Sequence, residues 1–530
     1  MDTHENKAVS PDETALGIEF GSTRIKAVLI DHAGNTVATG SYIWESHLEG
    51  EFWSYRLDEA IAGLQSCTAQ IIASAVKHFG CVPQVSVIGI SGMMHGYLPF
   101  DSDGRQLVPF RTWRCTDTAT AAECLSELFD FNIPYRWTIA HLESAIINSE
   151  EHVGSIDFVT TLAGYVHWRL TGRRVVGVGE ASGIFPIDEN GNYDKKMLRD
   201  YNSRLEARGI PWRLDDILPQ ALRAGENAGC LTVEGAMLLD PSGVLKPGIP
   251  FCPPEGDAET GMAATNSVAP YTGNVSAGTS IFAMIVLAEK LRGRFREIDI
   301  VATPDGAPVA MVHAACCTNE INAWAQLLCD FTALCGSEAP TMDTVYKKIF
   351  LSAFDAEPDC GGITACNFIC DEPLMGLNGF PALIRPQTSS LSMGNFLRAQ
   401  LYAAVAPLRI GMDILRAHTD LRIDCLTGHG GFFKTPPVGQ CILAAALNTP
   451  VETLDTAGEG GPWGMALLAA YFAFKAPGET LADYLDNRIF SSVQRGSTPP
   501  NPADAEGFDR YLERYRLLID AERAISAKPW

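Results

Sequence analysis

The 530-residue sequence predicts an α/β protein of two large domains, each built on its own sheet. Three observations carry this. Strand-like and helix-like stretches alternate throughout; one strand, small-residue turn, strand pattern occurs twice; and the chain is too long for one ordinary core.

The first copy of the pattern is ALGIEFGSTRIKAVLID, Ala15 to Asp31, two apolar strands joined at Gly21 to Thr23. Leu57 to Phe79 has helical periodicity and leads into VSVIGISGMMHGYLPFDSDG, a buried strand, a polar loop and a D-x-D-G turn. Val108 to Trp113 is extended, Thr118 to Phe129 helical, and Phe158 to Thr171 helical with Gly172 as its cap. RRVVGVGEASGIFPID follows as strand and turn; its GVGEASG spaces the third glycine one residue too far for a dinucleotide fingerprint. The second copy is GNVSAGTSIFAMIVL, Gly273 to Leu287, turning at Gly278, Thr279 and Ser280. Beyond it come an amphipathic helix from Thr318 to Phe331 with an N-cap at its start, and a long helix from Ser392 to His418. Leu426 to Pro437 is a Gly-rich turn opening onto a helix through Leu447, and Asp504 to Ala527 is a terminal amphipathic helix. The domain boundary falls near Ala264 to Tyr271. The division expected is a disordered start over 1–14, domains over 15–267 and 268–490, and an extension over 491–530.

Forty basic against 63 acidic residues, 40 − 63 = −23, exclude nucleic acid or an anionic membrane as the main partner. An anionic substrate must then be held by local donors. The sequence has no run of about 18 uninterrupted apolar residues and no apolar signal core at its start, so the protein is expected in the cytoplasm. Among 15 cysteines, Cys316 adjoins Cys317 and Cys366 lies four before Cys370, without a CxxC pair or His-rich partner. They read as core thiols of a reducing compartment, and with no HxxxH pattern a zinc site has no support.

Mid-chain, PPEGDAETGM sets Asp257 between a glycine and small residues after a Pro-rich approach. An isolated GDA is a surface turn; this one precedes the second copy of the hairpin pattern, where a carboxylate is placed to be a catalytic base. Glu259 reads as a helix N-terminal carboxylate. No GxxxxGK[ST] occurs, so the first hairpin is not a Walker loop.

Taken together, GIEFGSTRIKA, SGMMHG, Gly256-Asp257, AGTS at 277–280 and GHGGFFKTP at 428–436 resemble, in order and interval, the motifs of the FGGY carbohydrate kinases. The resemblance runs from about Leu16 to Tyr471. It implies two actin-like ATPase (ribonuclease H-like) domains with a cleft between them and phosphorylation of a small sugar hydroxyl by ATP with Mg²⁺, between lobes that close to exclude water. It implies Gly21, Ser22, Thr23 and Lys26 on one side of the ATP phosphates and Gly278, Thr279 and Ser280 on the other. Gly430 and Gly431 would lie against adenosine, with Thr435 capping the next helix and Phe432 and Phe433 narrowing the pocket. Asp257 aligns with the general base. SGMMHG resembles the SGQMHG of xylulose kinases, which places Met94 and His95 on the sugar; without the resemblance His95 is a core histidine. Glu19 stands where the family carries Asp and is a support for Mg²⁺ or a strand carboxylate facing solvent. Trp113 and Arg114 contact the sugar or are core residue and surface ion pair, in a stretch that departs from the family pattern.

The substrate so implied is a ketopentose of the xylulose or ribulose type, with a deoxyketohexose, a hexonate or glycerol as rivals and a homodimer left open. The alternatives of another class are a catalytically weak sugar or nucleotide sensor, and a chaperone-like ATPase.

Overall fold

The computed structural model describes residues 13–526 apart from 82–83, 116, 292, 339, 371, 373–374, 378, 455–459 and 494–495. Two compact units emerge: one holds the chain to Val268 with Ile300–Pro308 and Glu459–Ser492; the other holds Ala269–Asp299, Val309–Gly458 and Val493–Trp530.

The first unit is built on strands β1 (Thr14–Phe20), β2 (Arg24–Asp31) and β3 (Thr36–Ile43), helix α1 (Leu57–Phe79), strand β4 (Val85–Gly92), helix α2 (Leu162–Thr171), the short strand β5 (Glu255–Gly256) and helix α3 (Asp257–Ala264). Its sheet has the order β5-β4-β1-β2-β3. β1 lies antiparallel to β2 and parallel to β4, and every residue of it is buried, which suits its apolar run TALGIEF. Thr14, assigned above to a disordered start, is the first residue of β1 and donates its hydroxyl to the Gln84 carbonyl; the rest of that start lies outside the described residues apart from residue 13. Phe158–Thr160 is a strand paired with Leu98–Phe100 rather than the head of a helix; α2 begins after Thr161, whose hydroxyl caps it, and ends on left-handed Gly172. After the strand Val175–Gly177, the GVGEASG stretch is a one-turn helix, Val178–Ser182.

The second unit repeats the plan. Strands β6 (Thr272–Ala277), β7 (Ile281–Val286) and β8 (Pro308–Ala314) are antiparallel neighbours. Helices α4 (Asn319–Leu334) and α5 (Met393–His418) follow, then β9 (Cys425–His429), parallel to β6, helix α6 (Val438–Leu447) and β10 (Val451–Thr453), parallel to β9. The pairing of β6 with β7 and β9 reproduces that of β1 with β2 and β4. Pairing repeated in this way marks a duplicated domain although little sequence is shared.

A division into contiguous halves fails in two places, at Ile300–Pro308 and at Glu459–Ser492, both of which belong to the first unit. Helix α7 (Gly460–Phe474) returns to the first unit and lies across β1, while β11 (Gly496–Thr498) pairs with β10 and helix α8 (Pro502–Ser526) packs in the second unit. The reason is small residues at the contact. A Cβ placed on Gly17 of β1 would sit 2.2 Å from the Pro462 carbonyl oxygen and 2.4 Å from the Ala466 nitrogen, and one on Gly464 only 2.0 Å from the Thr260 carbonyl. Backbone therefore packs on backbone, and no side-chain rearrangement relieves a larger residue. Replacing Gly17 by Ala is expected to destabilise the protein by about 3 kcal/mol, read by urea denaturation; an unchanged midpoint would mean that α7 does not seat on β1.

Candidate active site

The turn between β1 and β2 is held from behind. Gly21 N–H donates to the Arg24 carbonyl at 3.0 Å and closes the turn, so this glycine amide, unlike the expectation from sequence, is not turned outward. The Gly21 carbonyl accepts from the Trp44 indole Nε1 at 2.7 Å and the Ser22 carbonyl from the Tyr55 hydroxyl at 2.6 Å. Trp44 and Tyr55 are buried with ring centroids 4.5 Å apart. With these carbonyls engaged, Ser22 and Thr23 stand exposed at the tip of the turn. Neither aromatic is marked by any motif; what the sequence offers is a run of rings, Trp44, Phe52, Trp53 and Tyr55, just after the first hairpin.

The second unit does the same with other residues. Gly278 N–H donates to the Ser280 carbonyl at 2.9 Å; the Gly278 carbonyl accepts from Thr318 N–H at 3.1 Å and from its hydroxyl at 2.7 Å, and the Thr279 carbonyl from Cys317 N–H at 2.9 Å. Thr318 precedes α4, but its side chain holds this turn rather than capping the helix. Gly430 sits beside the turn: its φ is 101°, and a Cβ there would lie 2.4 Å from the Ala277 carbonyl oxygen, so only glycine brings this loop so near. Gly431 faces open space. Two expectations are corrected. Phe432 and Phe433 are buried, Phe432 packing on Phe350 with centroids 5.4 Å apart, so they form core and do not narrow a pocket. The cap position of α6 is Pro437, without a side-chain bond, so Thr435 does not cap it.

Asp257 is the first residue of α3, placed by β5 beside the end of β4. Its Oδ1 accepts from Met94 N–H at 3.1 Å, which ties the carboxylate to the SGMMHG loop. The side chain is solvent-exposed, yet the protein around it restricts water enough to push its carboxyl above the usual range, against three backbone amides that lower it. Its exposed face leaves the carboxyl open to solvent. Met94 and His95 are buried, and His95 has a left-handed φ of 70°, an arrangement that costs energy in a residue with a side chain. Its ring stacks on Trp137 at 6.4 Å, and its Nδ1 is 3.4 Å from the Gly183 carbonyl.

Glu19, near the end of β1, is buried rather than facing solvent, opposite Lys26 of β2, which is half-buried. Burial first, then the charge of Asp257, raise its carboxyl to about 7, with Lys26 opposing. Gly461 makes room for it, since a Cβ there would lie 1.9 Å from Glu19 Oε1. Beneath Asp257 lie three further acids: Glu180, Glu255 and Glu259 are fully buried, packed around Gly177, Gly179 and Gly256. The Glu255 carboxylate accepts from Glu180 N–H at 2.8 Å, the Glu180 carboxyl is paired with the Thr161 side chain, and the two oxygens of Glu259 have no partner among the described residues. Burial is the largest cause in raising all three, and mutual repulsion adds to it for Glu180 and Glu259. Glu259 is thus in the first turn of α3 but held as a neutral acid, not as the charged helix-start carboxylate its position suggests. Among the described residues no group of three or more His, Cys, Asp or Glu is arranged to hold a metal ion.

The Arg114 guanidinium lies 4.2 Å over the Trp53 ring and donates to Ser46 at 3.0 Å, and among the described residues no ion pair of Arg114 is seen; Trp113 is 40% exposed, which removes the plain-core reading. The buried arginine of this stretch is Arg111, paired with Glu150.

A carboxyl raised from 4.5 to about 7 by folding costs stability as the pH climbs through that interval, because the folded state binds the extra proton. Without divalent cation, Glu19→Gln is expected to gain on the order of 3 kcal/mol over the parent at pH 8 and nothing at pH 4, read by urea denaturation at both pH values. Equal gains at both would show that Glu19 is ionised freely in the fold.

Comparison with known proteins bears on the family and the fold. Family models of the N-terminal and C-terminal domains of the FGGY carbohydrate kinases match residues 14–262 and 273–473. A xylulose kinase of Haemophilus influenzae is 24% identical over 527 residues, 94% of this chain and 98% of that one, and an L-fuculokinase of Escherichia coli is 23% identical over 507 residues, 89% and 95%. Among solved structures, a xylulose kinase from Rhodospirillum rubrum superposes with a TM-score of 0.78 at 18% identity, covering 97% of this chain and 100% of that one. A gluconate kinase from Lactobacillus acidophilus gives 0.79 at 14%, covering 97% and 99%. With both family domains matched in order across most of its length, the chain belongs to the FGGY family of carbohydrate kinases and has their two-domain actin-like ATPase fold.

Proposed function

We propose that this sugar kinase transfers the terminal phosphoryl group of ATP to a hydroxyl of a ketopentose of the xylulose or ribulose type, with Asp257 as general base. The observation that carries the reading is the bond from Met94 N–H to Asp257 Oδ1, which couples the SGMMHG loop to the acid. That bond fixes one carboxylate oxygen and leaves the other to accept the proton of the attacking hydroxyl. Position at the start of α3 and solvent access favour the anion needed for this, while protons rather than charges fill the cluster below it. The left-handed His95 turns the loop so that Met94 offers an apolar surface to a carbon chain and the imidazole a polar one to hydroxyls.

Each serine- and threonine-bearing turn is a phosphate nest on its own unit: Ser22 and Thr23 in one, Thr279 and Ser280 in the other, with Lys26 behind the first and Gly430 and Gly431 beside the second. Glu19, a single buried carboxylate with a charged neighbour, fits an ion that keeps most of its waters, and it would support Mg²⁺, which when bound offsets charge on the phosphate oxygens. Because phosphoryl transfer passes through a loose transition state, the residues act mainly by positioning.

A panel of ketopentoses, deoxyketohexoses, hexonates and glycerol, each with ATP and read by ADP release, tests the substrate; similarity to an L-fuculokinase and a gluconate kinase makes those two classes the informative rivals. Asp257→Asn is expected to lower kcat by about 10² to 10⁴ with the KM for ATP little changed. An unchanged kcat would remove Asp257 from the chemistry, and binding of every sugar without product would make the protein a sensor. Tyr55→Phe, which deletes the hydroxyl holding the Ser22 carbonyl, is expected to raise the KM for ATP roughly fivefold at near-constant kcat, since one such hydrogen bond contributes about 1 kcal/mol.

A further inference from the structure

Four of the cysteines that drew attention in the sequence meet in the second unit, just behind its phosphate turn. Cys316 lies two residues beyond β8 and is fully buried; Cys370 follows the strand Thr364–Cys366 and is exposed. Their Sγ atoms are 2.9 Å apart, with one thiol donating to the other. Cys366 turns its thiol to Glu522 of α8 at 3.2 Å, and Cys317 is buried without a sulfur neighbour of this kind, so Cys316 and Cys370 are the matched pair.

We propose that Cys316 and Cys370 are a site of reversible oxidation, closing to a disulfide on exposure to a hydroperoxide, and that this bond alters ATP binding at the Gly278–Ser280 turn. Peroxide reaches the exposed Cys370 first: its sulfur takes one peroxide oxygen to become a sulfenic acid, and the other oxygen leaves as water. Cys316, whose buried thiol is pushed above its ordinary range by loss of water and then by the contact with Cys370, remains a thiol until then. Its sulfur displaces the sulfenic hydroxyl, the S–S bond forms, and the thiol proton leaves with that hydroxyl as a second water. Two thiols have then lost two electrons to one peroxide.

The bond acts on the turn through the chain that carries it. Ala315 and Cys316 N–H donate to the Glu372 carboxylate at 2.8 and 3.3 Å, and Asn367 Nδ2 donates to the Cys316 and Cys317 carbonyls, so both strands of the connection are already tied together. The next two residues are those that hold the turn, Cys317 N–H on the Thr279 carbonyl and Thr318 on that of Gly278. A disulfide needs its sulfurs at about 2.05 Å, close to an ångström nearer than they stand, and this stiff connection passes the displacement to the turn.

The effect on ATP rests on the phosphate-nest reading, whereas disulfide formation does not, and the experiment separates them. The full chain is reduced, treated with hydrogen peroxide, quenched, digested and mapped by mass spectrometry, and ATP affinity is measured by calorimetry in both states. A linked Cys316–Cys370 peptide pair, about 2 Da lighter than the separate thiols and restored by dithiothreitol, is expected, with ATP binding weakened roughly threefold or more in the oxidised protein. Cys370→Ser should bind ATP like the reduced parent and lose the response to peroxide. Oxidation of the exposed Cys81 and Cys335 without that linked pair, or a link from Cys316 to Cys366 instead, would overturn the site. A linked pair with unchanged ATP affinity would overturn the coupling, and absence of ATP binding in the reduced protein would overturn the nest reading while leaving the disulfide standing.

Discussion

The reading of this chain as a phosphoryl-transfer protein depends on backbone carbonyls that are not free. A three-residue turn exposes as many C=O as N–H groups and has no intrinsic preference for anions. In both hairpins the preference is imposed from behind: Trp44 and Tyr55 in one unit, Cys317 and Thr318 in the other, draw the carbonyls inward. What remains on the outer side is positive in its dipoles. In a chain with a net charge of −23 such local polarity has to do what a basic surface does elsewhere, because the long-range field repels a nucleotide. The two buttresses share no residue types, so the duplicated domains have kept the physical arrangement and not the side chains.

A second constraint divides five neighbouring acids by surroundings alone. Asp257 reaches solvent and has amide donors; Glu19 is buried with one lysine opposing the cost; Glu180, Glu255 and Glu259 are sealed in. Were all of them ionised, their repulsion would raise the proton affinity of Asp257 further. Burial instead keeps protons on the deepest three, so the negative charge at this place is concentrated on the acid that can use it. The glycines at 177, 179 and 256 give the carboxyls room, which explains why a buried acid set occurs in a stretch so rich in small residues.

Much of the local structure could be read from the sequence. Periodicity located α1 from Leu57 to Phe79 at both ends, and the two hairpins are visible because an apolar run broken by Gly-Ser-Thr or Gly-Thr-Ser has few other solutions. Asp257 stood out by its place between the copies. What failed depends on contacts between residues far apart in sequence. The return of Gly460–Phe474 to β1 is decided by glycines at 17 and 464 that look unremarkable in either segment alone. Phe432 and Phe433, in a loop thought to face nucleotide, point into the core because Phe350 waits there. The raised proton affinity of Glu259 follows first from its burial, then from Glu255 and from Glu180, which stands 79 positions earlier in a stretch that reads as strand and turn. Indole and hydroxyl donors to a turn carbonyl leave no spacing rule at all.

The same long-range contact accounts for the longer acid at position 19. β1 brings Glu19 to the edge of the turn, and α7 lies over it with Gly461 at the point of approach. An aspartate there would stop short by a methylene, whereas the glutamate uses the space that the missing Gly461 side chain leaves. Its raised proton affinity is therefore the direct consequence of how it is accommodated, with burial outweighing the attraction of Lys26. A carboxyl poised near neutrality responds to a cation brought beside it, because a nearby positive charge favours the ionised form. The close seating of α7 on β1 thus reaches the chemistry: it sets both where the carboxyl stands and how readily it gives up its proton.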